Sequence, residues 1–321
     1  MSKLLRFLLQ RIVICSVRVN IYNDRFQYID MTATNSFFLP KSSAEHFLYG
    51  QIRDDLRRHK SKTQIESFWG KYRKHKSRNF LREAQVNFYQ RWWEMFLAVG
   101  LLNLNFDIKT DKDDKGPDIK VILPSNKVVW IEAVAPNIGR TDDSVPPIMD
   151  VFSSLPEREF LLRLNVALCD KLDVFKGYLN KGVIKEDDYC IIALSSCALA
   201  QYGDLMDFPV SAPLKVLAGC GQLVLSKNGN YVGRRNHIQT SSPGREREVD
   251  TCLFDREDFS IISAVLYSHT DILNSPNNPE SSFQLSLNPL KVNPDVKSAF
   301  GNMEIWFQGS KNGDETIWTK E

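Results

Sequence analysis

The chain has 321 residues, a formal net charge of +2, and 43% hydrophobic and 11% aromatic residues. That is enough for one sizeable core plus a smaller unit, and it excludes a disordered protein. The six cysteines (Cys15, Cys169, Cys190, Cys197, Cys220 and Cys252) are scattered, with no Cys-x-x-Cys pair or Cys/His spacing for zinc, so a reduced, cytoplasmic setting is expected.

At the N-terminus, the apolar residues from Leu4 to Ile14 are interrupted by Arg6 and Arg11. The run is a poor signal-peptide core and too short to span a bilayer, so no membrane partner is expected. An amphipathic helix, or a true start at Met31, explains it equally well. Residues 51–83 then carry eleven Lys or Arg against four acids. Phe68, Trp69, Tyr72 and Phe80 are interleaved with this charge, a combination that suits a phosphate backbone and exposed bases. A helical hairpin with a solvated cationic face is the competing reading.

From Phe88, the apolar residues Phe88, Trp92, Met95, Phe96 and Val99 recur at steps of three and four, which predicts an inward-packing helix with Gly100 as its stop. Gln90 and Glu94 lie one turn apart beside that stripe, and an intrahelical pair with Arg91 or a solvated boundary position is the alternative to a site role for Glu94. Two short strands follow: the run opened by Asp118 and continued by Ile119-Lys120-Val121-Ile122, and the run Val128-Val129-Trp130-Ile131-Glu132-Ala133-Val134. Pro124-Ser125-Asn126-Lys127 between them is turn-forming, so a hairpin is predicted that brings Asp118 close to Glu132. A Glu amid Val, Trp, Ile and Ala is costly to desolvate alone, so a cation is expected beside it. Two carboxylates on neighbouring strands offer the hard oxygen environment that Mg²⁺ prefers. A Glu simply paired with Arg or Lys is the alternative.

Residues 135–147 are polar and Pro-containing, suited to a loop over this site. Helical periodicity resumes from about Glu157 to Leu179, with Phe160, Leu164, Leu168, Leu172, Phe175 and Leu179 on one face and Gly182 at the end. Arg163, Ala167 and Lys171 form a second stripe on that helix. The apolar run from Tyr189 to Leu194 predicts a strand buried on both faces. Further on, residues 219–233 read as two strands around an Asn-Gly turn, residues 261–267 as another buried strand, and residues 283–287 as a half-exposed one. Residues 274–279 read as a loop. His269 has no nearby nucleophile in the sequence and receives no catalytic role.

Pro117-Asp118, then Glu132 after a hairpin, with Glu94 on a preceding helix, resembles the PD-(D/E)xK nuclease superfamily over roughly residues 80 to 200. The resemblance implies an α/β fold: a restriction-endonuclease-like core with a mixed sheet flanked by helices at residues 81–200. Beside it are expected a helical basic N-terminal region at residues 1–80 and a β-rich extension packed on the core at residues 201–321. It also implies that Asp118 and Glu132 hold Mg²⁺, with Mn²⁺ as an alternative ion, and that Glu94 completes the metal shell. The partner it implies is nucleic acid, DNA foremost, with Arg73, Lys74, Lys76 and Arg78 contacting it. The motif's lysine belongs two residues after Glu132, where this chain has Val134. Lys120, on the strand face of Asp118, and Lys171, on the following helix, are the candidate substitutes. Metal-dependent phosphodiester hydrolysis is the function expected. A non-catalytic nucleic-acid or protein-binding module retaining the fold is the rival.

Overall fold

In the computed structural model, the described residues are 35–321 apart from 111–114, 140–143, 147–154, 208–209, 226–230, 236–237, 240–247, 250–251, 292–293, 302, 313–314 and 321. The expectations for residues 1–34, including the apolar N-terminal run and Met31, lie outside them. The chain divides into Met1–Phe37 and a compact unit Phe38–Glu321, and all the described helices and strands belong to the second.

Eight α-helices are described: α1 (Phe47–Asp54), α2 (His59–Tyr72), α3 (Phe80–Val86), α4 (Phe88–Asn103), α5 (Glu157–Asn180), α6 (Gly203–Met206), α7 (Ala212–Leu217) and α8 (Pro294–Ala299). The strands of the main sheet are β1 (Ile108–Thr110), β2 (Ile119–Ile122), β3 (Val128–Val134), β4 (Tyr189–Ser195), β9 (Ala264–Ser268), β10 (Gln284–Leu287), β11 (Glu304–Asn312) and β12 (Glu315–Lys320). Two small hairpins lie between them in sequence: β5 (Cys220–Leu225) with β6 (Tyr231–Arg235), and β7 (Ile238–Gln239) with β8 (Glu248–Val249). The fold is α/β, with an eight-stranded mixed sheet in the order β1-β2-β3-β4-β9-β10-β11-β12.

Local chemistry accounts for the part of the sheet that carries the site. Asn126 adopts φ 62°, a left-handed conformation that Asn tolerates, and Leu123 and Lys127 close the turn with a 2.9 Å backbone hydrogen bond. The β2–β3 hairpin follows in the register Ile119 to Ile131 through Ile122 to Val128. β4 runs parallel to β3, and a parallel return needs a long crossover, which α5 supplies. All of β4 except Tyr189 is buried, as its unbroken apolar run predicts. Phe160, Leu164, Leu168, Leu172 and Phe175 of α5 join Ile192, Leu194, Val265 and Tyr267 in one core cluster.

Several expectations are corrected. Gly100 does not stop α4, which continues to Asn103. Gly100 is instead a point of close packing, since a Cβ there would lie 2.4 Å from the Phe283 ring. The helix is also buried well beyond one stripe, because Trp93, Glu94, Leu97, Ala98 and Leu101 are covered as well. Phe68, Trp69, Tyr72 and Phe80 are core residues that are not exposed for bases to stack on. Trp69 and Phe80 stack on each other at 6.0 Å, and Phe68 meets Phe96 of α4 edge-on. Burying these rings against α4 removes far more apolar area from water than an exposed stacking platform would. β10 is buried at its two central residues and does not alternate. The expected loop at residues 274–279 is entered by the 3₁₀ turn Ile272–Asn274 and left by Pro279–Ser282. Strands β9 to β12 continue the same sheet, with β9 parallel to β4. Among the described residues, no helix is long and apolar enough to cross a membrane.

Candidate active site

The register of the hairpin places Asp118, one residue before β2, opposite Glu132 of β3. The Asp118 carboxylate accepts from the Ala133 backbone N–H at 2.8 Å, and its charge acts on the neighbouring Glu132 carboxyl. Alternation along β3 sends Trp130, Glu132 and Val134 to one side, the side on which α5 packs. From α5, Lys171 places Nζ 2.9 Å from Glu132 Oε2. The expected cation beside Glu132 is therefore a lysine contributed by the crossover helix. Glu132 is 4% exposed. Its burial, and then the neighbouring Asp118 charge, push its carboxyl up to about 8, against the opposing pull of Lys171.

Glu94 of α4 stands on the other flank of Asp118. Tyr72 OH donates to its Oε1 at 2.6 Å, and Arg91 grips Oε2 while also binding Glu83. Burial and the Asp118 charge raise the Glu94 carboxyl to about 7, with Arg91 opposing. The Tyr72 phenol is itself pushed well above its ordinary value, by burial first and by Glu94 second. One turn before Glu94, Gln90 clamps the end of β3: its Nε2 donates to Ala133 O at 3.0 Å and its Oε1 accepts from Ala135 N at 2.9 Å. This clamp fixes the helix to the strand at the level of Glu132.

The structure thus gathers Asp118, Glu132, Glu94 and Lys171. Lys120 is directed elsewhere. It shares the Asp118 face, but its Nζ lies 4.6 Å above the Trp130 ring, its cross-strand partner, where ammonium and indole attract. Arg163, further along the Lys171 stripe, binds Asn137 O at 2.9 Å and so ties α5 to the loop after β3. Arg73, Lys74 and Arg78 are exposed and Lys76 is half-buried, all on the connection that begins right after Tyr72. That connection is tied to the sheet edge by a hydrogen bond from Thr110 Oγ1 to His75 O.

The sequence does not point to the roles of Tyr72 and Gln90, whereas the pairing of Glu94 with Arg91 one turn away is the alternative expected of a helical Glu. Tyr72 reads as a stacking ring, although its place just ahead of the basic run and its phenol are signals. Gln90 is visible one turn from Glu94, but nothing local marks the backbone it holds. Among the described residues, no three His, Cys, Asp or Glu side chains form a group able to hold a metal ion. The three-carboxylate shell expected from Glu94, Asp118 and Glu132 is therefore not preformed, because Tyr72 and Arg91 hold Glu94. Asp118 and Glu132 remain as an adjacent oxygen pair that one ammonium only partly neutralises, a donor set that suits a hard divalent ion.

No family model, curated protein or solved structure matches this chain.

Proposed function

We propose that this chain is a Mg²⁺-dependent phosphodiester hydrolase acting on nucleic acid, built on a restriction-endonuclease-like core whose motif lysine has moved to Lys171. The observation that carries the reading is the contact between Lys171 and Glu132 at 2.9 Å, with Asp118 beside the same carboxylate across the hairpin. The order of elements supports it: helix α4, three antiparallel strands β1 to β3, helix α5, then β4 parallel to β3. In this core, Asp118 and Glu132 would hold the ion, with Mn²⁺ able to substitute for Mg²⁺. When bound, the ion supplies Lewis-acid chemistry, acidifying water and relieving charge on the transferring phosphoryl oxygens.

The chain's own residues do the rest. Lys171 brings a positive charge to the point where the scissile phosphate meets Glu132, and the donors it does not give to Glu132 orient the attacking water. Glu94, gripped by Arg91 and Tyr72, is a fixed carboxyl wall behind Asp118. Arg73, Lys74, Lys76 and Arg78 contact the phosphate backbone of the substrate, DNA foremost. The four described free cysteines support a reducing, cytoplasmic setting.

The second reading is a binding module that retains this core without cleaving. It is favoured by the pairing already present, Glu132 with Lys171 and Glu94 with Arg91. Incubation with plasmid and with single-stranded DNA, in Mg²⁺, Mn²⁺ or EDTA, separates the two. Hydrolysis that requires the ion and is lost in Asp118→Ala and Glu132→Ala is expected. Salt-sensitive DNA retention with no cutting in any ion would leave the module.

A further inference from the structure

A polar cleft opens past the carboxyl end of β9. It has a volume of about 630 Å³, and its polar lining includes His269, Asn274, Glu280, Ser281, Gln284 and Glu304. His269 is held in one orientation: its Nδ1 lies 2.7 Å from Asp207 Oδ2, while Asp207 Oδ1 accepts from the Ala212 N–H at 2.9 Å. The contact fixes the ring with Nε2 on the side away from Asp207. Other walls are also fixed, since Glu280 accepts from Asn103 Nδ2 at 2.8 Å and Gln284 Oε1 accepts from Ser211 at 2.6 Å. The lining is rich in acceptors and carries carboxylates, so it repels phosphate and favours an uncharged ligand that offers N–H donors.

The position of this cleft gives the ligand its class. β3, β4 and β9 are parallel and in register, Glu132 beside Ile192 and Ile192 beside Val265. His269 directly follows β9, so the cleft lies past the carboxyl ends of the strands that carry Glu132, where ligands of parallel sheets bind. Met206 and Tyr267, which lead into Asp207 and His269, pack in the same cluster as Leu164 and Leu168 of α5, which puts the pair on the sheet face that Lys171 covers. Two strand spacings across and four residues along place the His269 backbone about 16 Å from that of Glu132, within reach of one bound strand.

We propose that the Asp207–His269 cleft is a nucleobase subsite that takes an unstacked base bearing an exocyclic amino group, its carboxylates and amides reading the base edge while the phosphates lie outside. The nucleic-acid class of ligand rests on the function proposed above; the existence of the site does not depend on hydrolysis. Equilibrium binding of cytidine, adenosine, uridine and Nα-acetyl-arginine amide to the full chain in EDTA tests it by NMR or calorimetry. Cytidine or adenosine is expected to bind saturably and uridine about tenfold or more weakly, the discrimination typical of one lost base-edge pair. His269→Ala is expected to lose that binding, and Glu132→Gln to keep it. If His269→Ala does not fold, Asn274→Ala, at the rim, is expected to weaken binding in its place. Absence of nucleoside binding, equal binding of uridine, tighter binding of the arginine amide, or indifference to both substitutions would overturn the proposal. Nucleoside binding without DNA cleavage would remove the hydrolase and keep the subsite, whereas cleavage without nucleoside binding would do the reverse.

Discussion

Lys171 and Glu132 are 39 residues apart in the chain and 2.9 Å apart in space. The contact exists because α5, the crossover that a parallel β4 requires, lies along the face to which β3 directs Glu132. Lys171→Met is expected to lower ion-dependent cleavage by about 10²-fold or more, the scale of removing one positioned electrostatic group. Val134 shares the Glu132 face and packs partly against the same core cluster. A lysine at that position approaches the same carboxylate from the strand, so Val134→Lys in the Lys171→Met background is expected to restore part of the rate. Single-turnover kinetics on a labelled duplex measure both, and full activity of Lys171→Met would end its assignment.

Stability should fall as pH rises through the neutral range. Glu132 and Glu94 have their carboxyls raised to about 8 and about 7, from an ordinary 4.5. The folded chain therefore binds more protons than the unfolded chain between those limits. The associated stabilisation is complete below about pH 4.5 and lost as pH rises through 7 and 8. Glu132→Gln keeps an acceptor for Lys171 without a titrating group. Thermal melts in EDTA from pH 5 to pH 9 are expected to show a decline in wild type that this variant flattens.

A divalent ion reverses that decline by taking the place of the proton on the Asp118–Glu132 pair. Mg²⁺ or Mn²⁺ at a hundredfold excess over Kd is expected to raise Tm by roughly 4 °C at pH 8. Asp118→Asn is expected to remove the response. An equal rise in wild type and variant would mean that the ion binds elsewhere.

The basic connection after Tyr72 is expected to act through charge alone, because the aromatic residues around it are buried. Replacing Arg73, Lys74 and Arg78 with Ala is expected to weaken DNA binding at low salt. It should also reduce the slope of log K against log salt by about 0.9 for each phosphate that is no longer neutralised. Fluorescence anisotropy across a salt series reads this, and an unchanged slope would place the DNA elsewhere.

Gly100→Ala sets two effects against each other within α4. Alanine favours a helix interior by about 1 kcal/mol, but its Cβ would sit 2.4 Å from a Phe283 ring carbon, and overpacking of this kind costs about 1–3 kcal/mol. Phe283 also meets Trp93 and Phe96, so its ring has little room to yield. Net destabilisation is expected, read as a lower urea midpoint at an unchanged slope.

Patterns that repeat within a few residues were legible directly. The step of three and four in Phe160 to Leu179, the unbroken apolar run of β4, and the turn at Asn126 each arise from neighbours in the chain, and each element formed as its pattern predicts. The proximity of Asp118 to Glu132 was equally accessible, because a tight hairpin converts sequence separation into register. Gly100 and Tyr72 misled for one shared reason. A glycine that ends a helix and one that admits a neighbouring ring look alike until Phe283 is placed. A tyrosine amid lysines looks exposed until α4 covers it.

From periodicity and turn chemistry came the α/β order of elements and the hairpin with its two acids, and from the motif resemblance a short set of lysines able to serve them. Folding at long range chose among those lysines, sending Lys120 over Trp130 and Lys171 to Glu132. It also supplied Tyr72 to Glu94, Gln90 to the end of β3, and Asp207 to His269. Hydrogen bonding and hydrophobic period are local properties of a chain, whereas the meeting of charges from separate elements depends on how whole layers pack, and no short stretch of residues encodes that.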